Sequence, residues 1–441
     1  MRRRGLEPPP RQAQTDFIKL ALHWKILIGA ILGAGLGALG YAFLGAESAA
    51  LQGVLKYGAK PVGDVFIGLL FMLVLPLLFS ALALGVAQMQ DLKALGRMGG
   101  VSLLYTAAAS IVAVVIGMLA VEIFQPGAGV TPEQREQLLT LSSGAWQAPA
   151  AAPKTGMDLI TAIVPRNPLK AAADGDYLGW MFFSLMIGIG LCLVRTEATK
   201  RFEEVLQGLF DVCMRLIQMV IQMAPVGVFA LLFALTATLG WGILVQIGKY
   251  MLVVTGALAL HQFVIYGLAV KFLGGMSPRF FFRGSAEAML TAFSTSSSNA
   301  TLPTALKVAE EKLGLPKQVA RFVLTIGATA NQNGTALFAT AAVLFLAQFY
   351  GVDISLGQML SVGGVCVLAG IGTAGVPSGS MPIIAMMLGM LGLPIEGVGL
   401  IFAVDRFLDM CRTTLNVTGD LSAAVIVARV ERAVAERKRA G

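Results

Sequence analysis

Long apolar runs alternate with short charged breaks along most of this chain, and the run lengths predict membrane-crossing helices. Residues 26–46 carry no charge, and about 20 apolar residues are enough to span a bilayer core. Gly29, Gly33, Gly35, Gly37 and Gly40 in that run predict close contact with a neighbouring helix. Residues 65–90 predict a second span and residues 98–121 a third. Residues 126–175 break the pattern with Pro, Ala, Gly and Thr, which predicts a long external excursion that partly re-enters near residues 159–165. Residues 177–194 cross inward. The run at 216–248 is too long for one span, so it is expected to bend at Ala224 and Pro225 and to begin a new helix near Trp241. Residues 250–270 cross back.

From residue 289 the simple pattern fails. Residues 289–306 are uncharged but crowded with hydroxyls, among them Thr291, Ser294, Ser296, Ser297, Ser298 and Thr301. The run at 322–352 is interrupted by Asn331-Gln332-Asn333-Gly334-Thr335. The uncharged run at 354–395 is roughly twice the length of one span. Its centre, residues 372–382, holds Gly and Pro at a density no straight helix tolerates. A re-entrant helical hairpin fits both its length and its centre, provided the tip is sheltered by protein or a wet cavity. The arrangement occurs twice. A tip at 296–303 precedes a helix expected to break at Asn331–Gly334, and a tip at 372–382 precedes a helix expected to break between Asn416 and Asp420. Two such halves entering from opposite sides would be inverted repeats, with a binding site near the bilayer midplane.

The last membrane-length segment concentrates polarity on one face. At about 100° per residue from Asp405, Asp409 falls at roughly 40°, Arg412 at −20°, Asn416 at 20° and Asp420 at 60°. Arg406 lies just off the edge of this stripe. Ile401, Phe402, Leu408, Met410, Val417, Leu421 and Val425 make the other faces apolar. Ionisable groups at membrane depth are costly and normally line an interior or a solvated cavity. An ion-pair network that merely holds the bundle is one role for the stripe; a ligand site is the other. Three carboxylates against one guanidinium favour the ligand site, because the excess charge calls for a cation or an ammonium.

Composition agrees with the pattern. The 441 residues are 56% hydrophobic and only 13% charged, with mean hydropathy +0.77, whereas soluble domains average about 25% charged residues. The net charge of +8 is no sign of nucleic acid. Arg2, Arg3, Arg4 and Arg11 precede the first span, and Arg429, Arg432, Arg437, Lys438 and Arg439 follow the last. Basic flanks of that kind place both termini in the cytoplasm, which requires an even number of crossings. The arginine-rich start lacks the spacing and cleavage site of a signal peptide. Cys192, Cys213, Cys366 and Cys411 have no metal-site spacing and sit in apolar runs. A serine hydrolase built on Ser296–Ser298 would need an adjacent base, and the two histidines, His23 and His261, fall in other helices. Neither a cofactor nor enzymatic activity is expected.

With these motifs aligned, the chain resembles the glutamate transporter family, the dicarboxylate/amino acid:cation symporters, and more closely their prokaryotic members. The likeness covers nearly the whole chain. It is carried by Ser296-Ser-Ser-Asn-Ala-Thr-Leu-Pro303, the Asn331–Thr335 break, the Gly-Thr-Ala-Gly-Val-Pro tip, and Asp-x-x-x-Asp-x-x-Arg-Thr-x-x-Asn-Val-x-Gly-Asp over 405–420. The resemblance implies an all-α integral membrane fold of eight transmembrane helices and two re-entrant hairpins, assembled as a homotrimer. It further implies a cytoplasmic arm (1–17), scaffold (18–90 and 126–237), transport domain (91–125 and 238–433) and cytoplasmic tail (434–441), the transport domain moving as an elevator. It implies residence in a bacterial inner membrane and uptake of acidic amino acids, aspartate or glutamate, with Na+ or H+ as coupling ion. A proton-coupled or uncoupled, channel-like facilitator of acidic amino acids or C4-dicarboxylates is the rival reading.

Carried over by motif, Arg412 grips the substrate's side-chain carboxylate and Asp409 its α-ammonium, while Asn416 and Ser298 hold the α-carboxylate. Thr335, Thr413, Ser296 and the Val376 backbone complete the pocket. A first sodium site maps to Gly327, Asn331, Asn416 and Asp420, and a second, built from backbone, to Thr329, Gly370, Ile371 and Thr373. The third maps to Thr106, Ala109, Ser110 and Asn333, where the sodium-driven pattern has further oxygens and a carboxylate. Hard cations want oxygens, preferably anionic ones, so the resemblance with this departure implies fewer coupled sodium ions. Asp405, Asp409 or Asp420 would then carry a proton instead. Gln332 departs from the pattern beside the second site, and Ser296 stands where relatives carry a basic group.

Overall fold

The computed structural model describes residues 22–87, 96–131, 164–173, 177–372 and 380–440. Among the described residues every regular element is helical. The N-terminal arm, most of the expected external excursion (132–163) and the second tip (373–379) lie outside them.

The chain opens with α1 (Leu22–Leu44), α2 (Ala49–Val54), α3 (Lys60–Phe71) and α4 (Val74–Ala87). Next come α5 (Arg97–Phe124), the short α6 (Pro168–Ala173), α7 (Tyr177–Leu193), α8 (Glu197–Gln222) and α9 (Ala224–Leu239). α10 (Gly242–Ala259) continues through a π-helical turn, Leu260–Ile265, into α11 (Tyr266–Phe272). Then follow α12 (Pro278–Thr295), α13 (Ser298–Lys307), α14 (Lys317–Ala330), α15 (Asn333–Tyr350) and α16 (Leu356–Gly372). α17 (Met381–Met390) and α18 (Val398–Ala440) complete the chain.

Among the described residues four helical segments are long and apolar enough to cross a membrane: Trp24–Leu44, Arg97–Phe124, Gly242–Phe272 and Lys317–Tyr350. The pair α8 and α9 passes the same test as one span bent by 57°, at the Ala224–Pro225 position the sequence predicts. Large apolar side chains point outward on these helices, including Ile31, Leu104, Leu252 and Phe43, which is 83% exposed. A continuous greasy exterior of that kind belongs against lipid. The chain is a multi-pass membrane protein.

Helix α1 packs on α9 through glycines four residues apart. A Cβ at Gly29 would collide with the Pro225 carbonyl oxygen, and one at Gly33 with that of Phe229. Small residues at this spacing let two backbones touch and gain dispersion contacts that lipid cannot supply. The molecule's axis is α15, which is buried on nearly every side. It packs on α5, α10, α16 and α18, and α18 in turn packs on α5, α10, α12 and α14. The polar stripe is thereby enclosed.

Three sequence expectations need correction. The second span, expected as one run over 65–90, is two helices interrupted at Met72 and Leu73. Pro76 explains the break, since its ring collides with the carbonyl four residues back, that of Met72. The first tip, expected over 296–303, is only two residues long. Ser296 takes a left-handed conformation (φ 50°) and Ser297 caps α13, its hydroxyl accepting from Ala300 N–H at 3.3 Å. Pro303 lies inside the helix that follows. The break expected between Asn416 and Asp420 is absent, because α18 runs uninterrupted from Val398 to Ala440. Gly419 is there for proximity: a Cβ on it would fall within van der Waals overlap of the Tyr266 hydroxyl and 2.9 Å from Asn331 Nδ2.

Candidate functional site

One helix supplies the charged half of the site. Unbroken helical geometry across α18 stacks Asp405, Asp409, Arg412, Asn416 and Asp420 on one face, and all five are at most 3% exposed. Arg412 is held from every direction. Its Nε and Nη2 donate to Asp409 Oδ1 at 2.9 Å, and its Nη1 pairs with Asp405 Oδ1 at 3.3 Å. Nη1 also donates to Ser380 Oγ at 2.6 Å, and the guanidinium lies 4.5 Å from the Phe338 ring centre. Arg406 approaches the other Asp409 oxygen at 3.8 Å from a partly exposed position. Removing one partner of such a buried network costs about 3–5 kcal/mol, because the remaining charge is stranded.

The other half comes from the α14–α15 break and the α12–α13 turn. Asn331 and Gln332 leave helical geometry (φ −112°, ψ 74° and φ −107°, ψ 52°), which frees backbone groups at the depth of the stripe. Asn416 Oδ1 accepts from Gly334 N–H at 2.7 Å, and Asn416 Nδ2 donates to Gln332 Oε1 at 2.5 Å and to Thr335 Oγ1 at 3.4 Å. At the first turn, the hydroxyls of Ser296 and Ser298 are buried and have no hydrogen-bond partner among the described residues. Buried hydroxyls without partners are rare, and these are suited to an anionic ligand.

Deeper along α18, Asn331 Nδ2 donates to Asp420 Oδ1 at 2.8 Å while Asn331 Oδ1 is buried without a partner among the described residues. A Cβ at Gly327 would overlap the Asp420 carboxylate, so glycine lets that carboxylate sit against the α14 backbone. A carboxylate and a neighbouring amide oxygen, set against the α14 backbone, are oxygen donors of the kind a hard cation takes. Of the predicted first sodium site, Gly327, Asn331 and Asp420 therefore converge, whereas the Asn416 side chain is committed elsewhere. Of the second, Gly370 reaches the break, with its Cβ position 3.3 Å from the Gln332 carbonyl oxygen. Thr329 and Ile371 lie in helices without described side chains, and Thr373 and Val376 fall outside the described residues.

At the third position, Ser110 on α5 donates to Asn333 Oδ1 at 2.5 Å and Asn333 Nδ2 donates to the Tyr266 hydroxyl at 2.9 Å. Both ends of the Asn333 amide are engaged within the protein. Thr106 and Ala109 are buried on the same helix, and Ala109 brings no oxygen. Thr413 is buried beside Arg412 in sequence. Sequence reading missed Ser380, Phe338 and Tyr266 as partners of the stripe and the break. Ser380 belonged to the Gly/Pro-rich tip, which was its only signal. Nothing local marked Phe338 or Tyr266, since each meets its partner across more than sixty residues.

The chain matches the sodium:dicarboxylate symporter family over residues 22–430. It is similar to the proton/sodium-glutamate symport protein of Bacillus caldotenax, 34% identical over 420 residues that cover 95% of this chain and 97% of the relative. The proton/glutamate-aspartate symporter of Escherichia coli (strain K12) is 33% identical over 427 residues, 96% of this chain and 95% of the relative. The C4-dicarboxylate transport protein of Deinococcus deserti is 33% identical over 379 residues, 85% of this chain and 84% of the relative.

Proposed function

Because this chain belongs to the sodium:dicarboxylate symporter family, a family of transporters and not enzymes, we propose that it takes up acidic amino acids by cation symport. At the coarser level it is a cation-coupled symporter of dicarboxylates or acidic amino acids. The finer reading rests on one observation, the buried Arg412–Asp409 pair; the α12–α13 turn, whose two helices pack on α18, adds the Ser296 and Ser298 hydroxyls, which have no partner among the described residues. A guanidinium grips a carboxylate in two parallel hydrogen bonds. Entry of an amino acid exchanges ion pairs: the substrate's side-chain carboxylate takes Arg412, and Asp409, released from Arg412, takes the α-ammonium. The exchange leaves both Arg412 and Asp409 with an ionic partner, and the α-carboxylate is met by hydrogen-bond donors. Asn416 and Ser298 receive the α-carboxylate, with Ser296, Thr335, Thr413 and the Val376 backbone around it. A plain C4-dicarboxylate offers Asp409 nothing in return.

The coupling ion is cargo in this scheme. Asp420 with Asn331 and Gly327 would hold a sodium ion, with backbone near Thr329, Gly370, Ile371 and Thr373 as a second position. At the third, the engaged Asn333 amide and the oxygen-free Ala109 leave a poorer donor set without a carboxylate, so fewer sodium ions are coupled than in sodium-driven relatives. Asp405, Asp409 or Asp420 carries a proton in their place. Residues 91–125 and 238–433 form the moving transport domain and residues 18–90 and 126–237 the scaffold. Eight transmembrane helices and two re-entrant hairpins make up the protomer, three protomers assemble in a bacterial inner membrane, and both termini (1–17 and 434–441) are cytoplasmic. The test is competition between unlabelled aspartate and succinate for labelled aspartate uptake. Aspartate should win by about tenfold or more, and Asp409→Asn should abolish that preference by removing a charge-assisted contact. Equal competition in the wild type would contradict the amino-acid reading.

A further inference from the structure

The helix break between α14 and α15 leaves orphan groups on both sides, and two side-chain amides join them. The last carbonyls of a helix and its first N–H groups lack intrahelical partners. Here the Gly334 N–H, in the first turn of α15, donates to Asn416 Oδ1 at 2.7 Å. Asn416 Nδ2 donates to Gln332 Oε1 at 2.5 Å, and Gln332 Nε2 donates to the Ala328 carbonyl, in the last turn of α14, at 3.2 Å. Thr335 Oγ1 also donates to Gln332 Oε1, at 3.4 Å. The relay has one direction. Only an NH2 can meet the Ala328 carbonyl and only an oxygen can meet the Gly334 N–H, so both amide orientations are fixed. Gln332, Asn416 and the backbone around them are buried, at 3% and 2% exposure for the two side chains. Aligned hydrogen bonds in a low-dielectric interior polarise one another.

We infer that Gln332 is a positioning residue for substrate binding. Its oxygen holds the Asn416 amide so that Nδ2 faces the Thr335 side of the pocket, and its NH2 ties that orientation to the end of α14. This rests on the proposed reading in which Asn416 meets the substrate's α-carboxylate. Without Gln332, the Asn416 amide loses the acceptor that fixes it, and the Ala328 carbonyl loses its donor. A substrate must then order a group that the wild type presents already ordered, which weakens binding and leaves the later translocation step little changed.

The experiment is a double-mutant cycle on labelled aspartate uptake in proteoliposomes, with KM and maximum rate measured separately. Gln332→Met, similar in bulk and without hydrogen-bonding groups, should raise KM about tenfold while the maximum rate stays within about twofold. Asn416→Ala should raise KM further. In the Asn416→Ala background, Gln332→Met should add nothing, because its effect acts through Asn416. An equal KM increase in both backgrounds would mean a general structural role and overturn the inference. A Gln332→Met KM within twofold of wild type would also overturn it while leaving the substrate reading intact. An unchanged KM in Asn416→Ala would overturn the substrate reading and the inference with it. Gln332→Leu serves the same cycle should the methionine variant not yield monodisperse protein.

Discussion

Asn333 is the residue on which the ion account turns. Its amide oxygen accepts from Ser110 and its amide nitrogen donates to Tyr266, so a neutral bridge occupies a position that the family resemblance assigns to a cation. Converting it to a carboxylate supplies one anionic oxygen, yet Ala109 still contributes none. Asn333→Asp alone is therefore expected to leave the sodium dependence of aspartate uptake unchanged, measured as KM across sodium concentrations. A large new sodium response in that single variant would contradict this. At this scale the sequence was informative about one helix at a time. Asp405, Asp409, Arg412, Asn416 and Asp420 could be placed on one face because their spacing follows helical periodicity. The Arg412–Ser380, Arg412–Phe338 and Asn333–Tyr266 contacts were not legible, since each depends on how separate helices pack.

At the scale of elements, two similar-looking motifs behave differently. Asn331-Gln332-Asn333-Gly334 ends one helix and starts another, while Asn416-Val417-Thr418-Gly419 sits inside a continuous one. A single glycine within a helix costs only about 1 kcal/mol relative to alanine, and the long flanks of α18 carry it. What fixes glycine at 419 is the Tyr266 hydroxyl and the Asn331 amide against its Cα. Gly419→Val should therefore lower stability by about 1–3 kcal/mol through overpacking, read as a fall in thermal midpoint in detergent. Adding Tyr266→Phe, which deletes the colliding oxygen, should recover part of the loss. A Gly419→Val protein as stable as wild type would show that α18 packs differently. The first tip and the break after it were thus readable in sequence, whereas the unbroken course of α18 depended on tertiary contact. The Met72–Leu73 interruption was readable in principle from Pro76, but an uninterrupted apolar run concealed it.

For the whole molecule, hydropathy alone identified a multi-pass membrane protein, because an exterior of exposed Ile, Leu and Phe and a buried charged stripe are the inverse of a soluble fold. The buried stripe makes the transport reading physical. In the proposed reading, a substrate replaces the Arg412–Asp409 pair with two new ion pairs, and a cation at Asp420 would offset the substrate's remaining negative charge. The most direct test of cation-coupled uptake is labelled aspartate accumulation in proteoliposomes, with proton and sodium gradients imposed separately. The account predicts accumulation above equilibrium under an inward proton gradient in sodium-free buffer. Simple equilibration under both gradients would contradict symport, and accumulation that strictly requires sodium would mean that the Asp420 site with the second suffices and would contradict a proton in place of sodium.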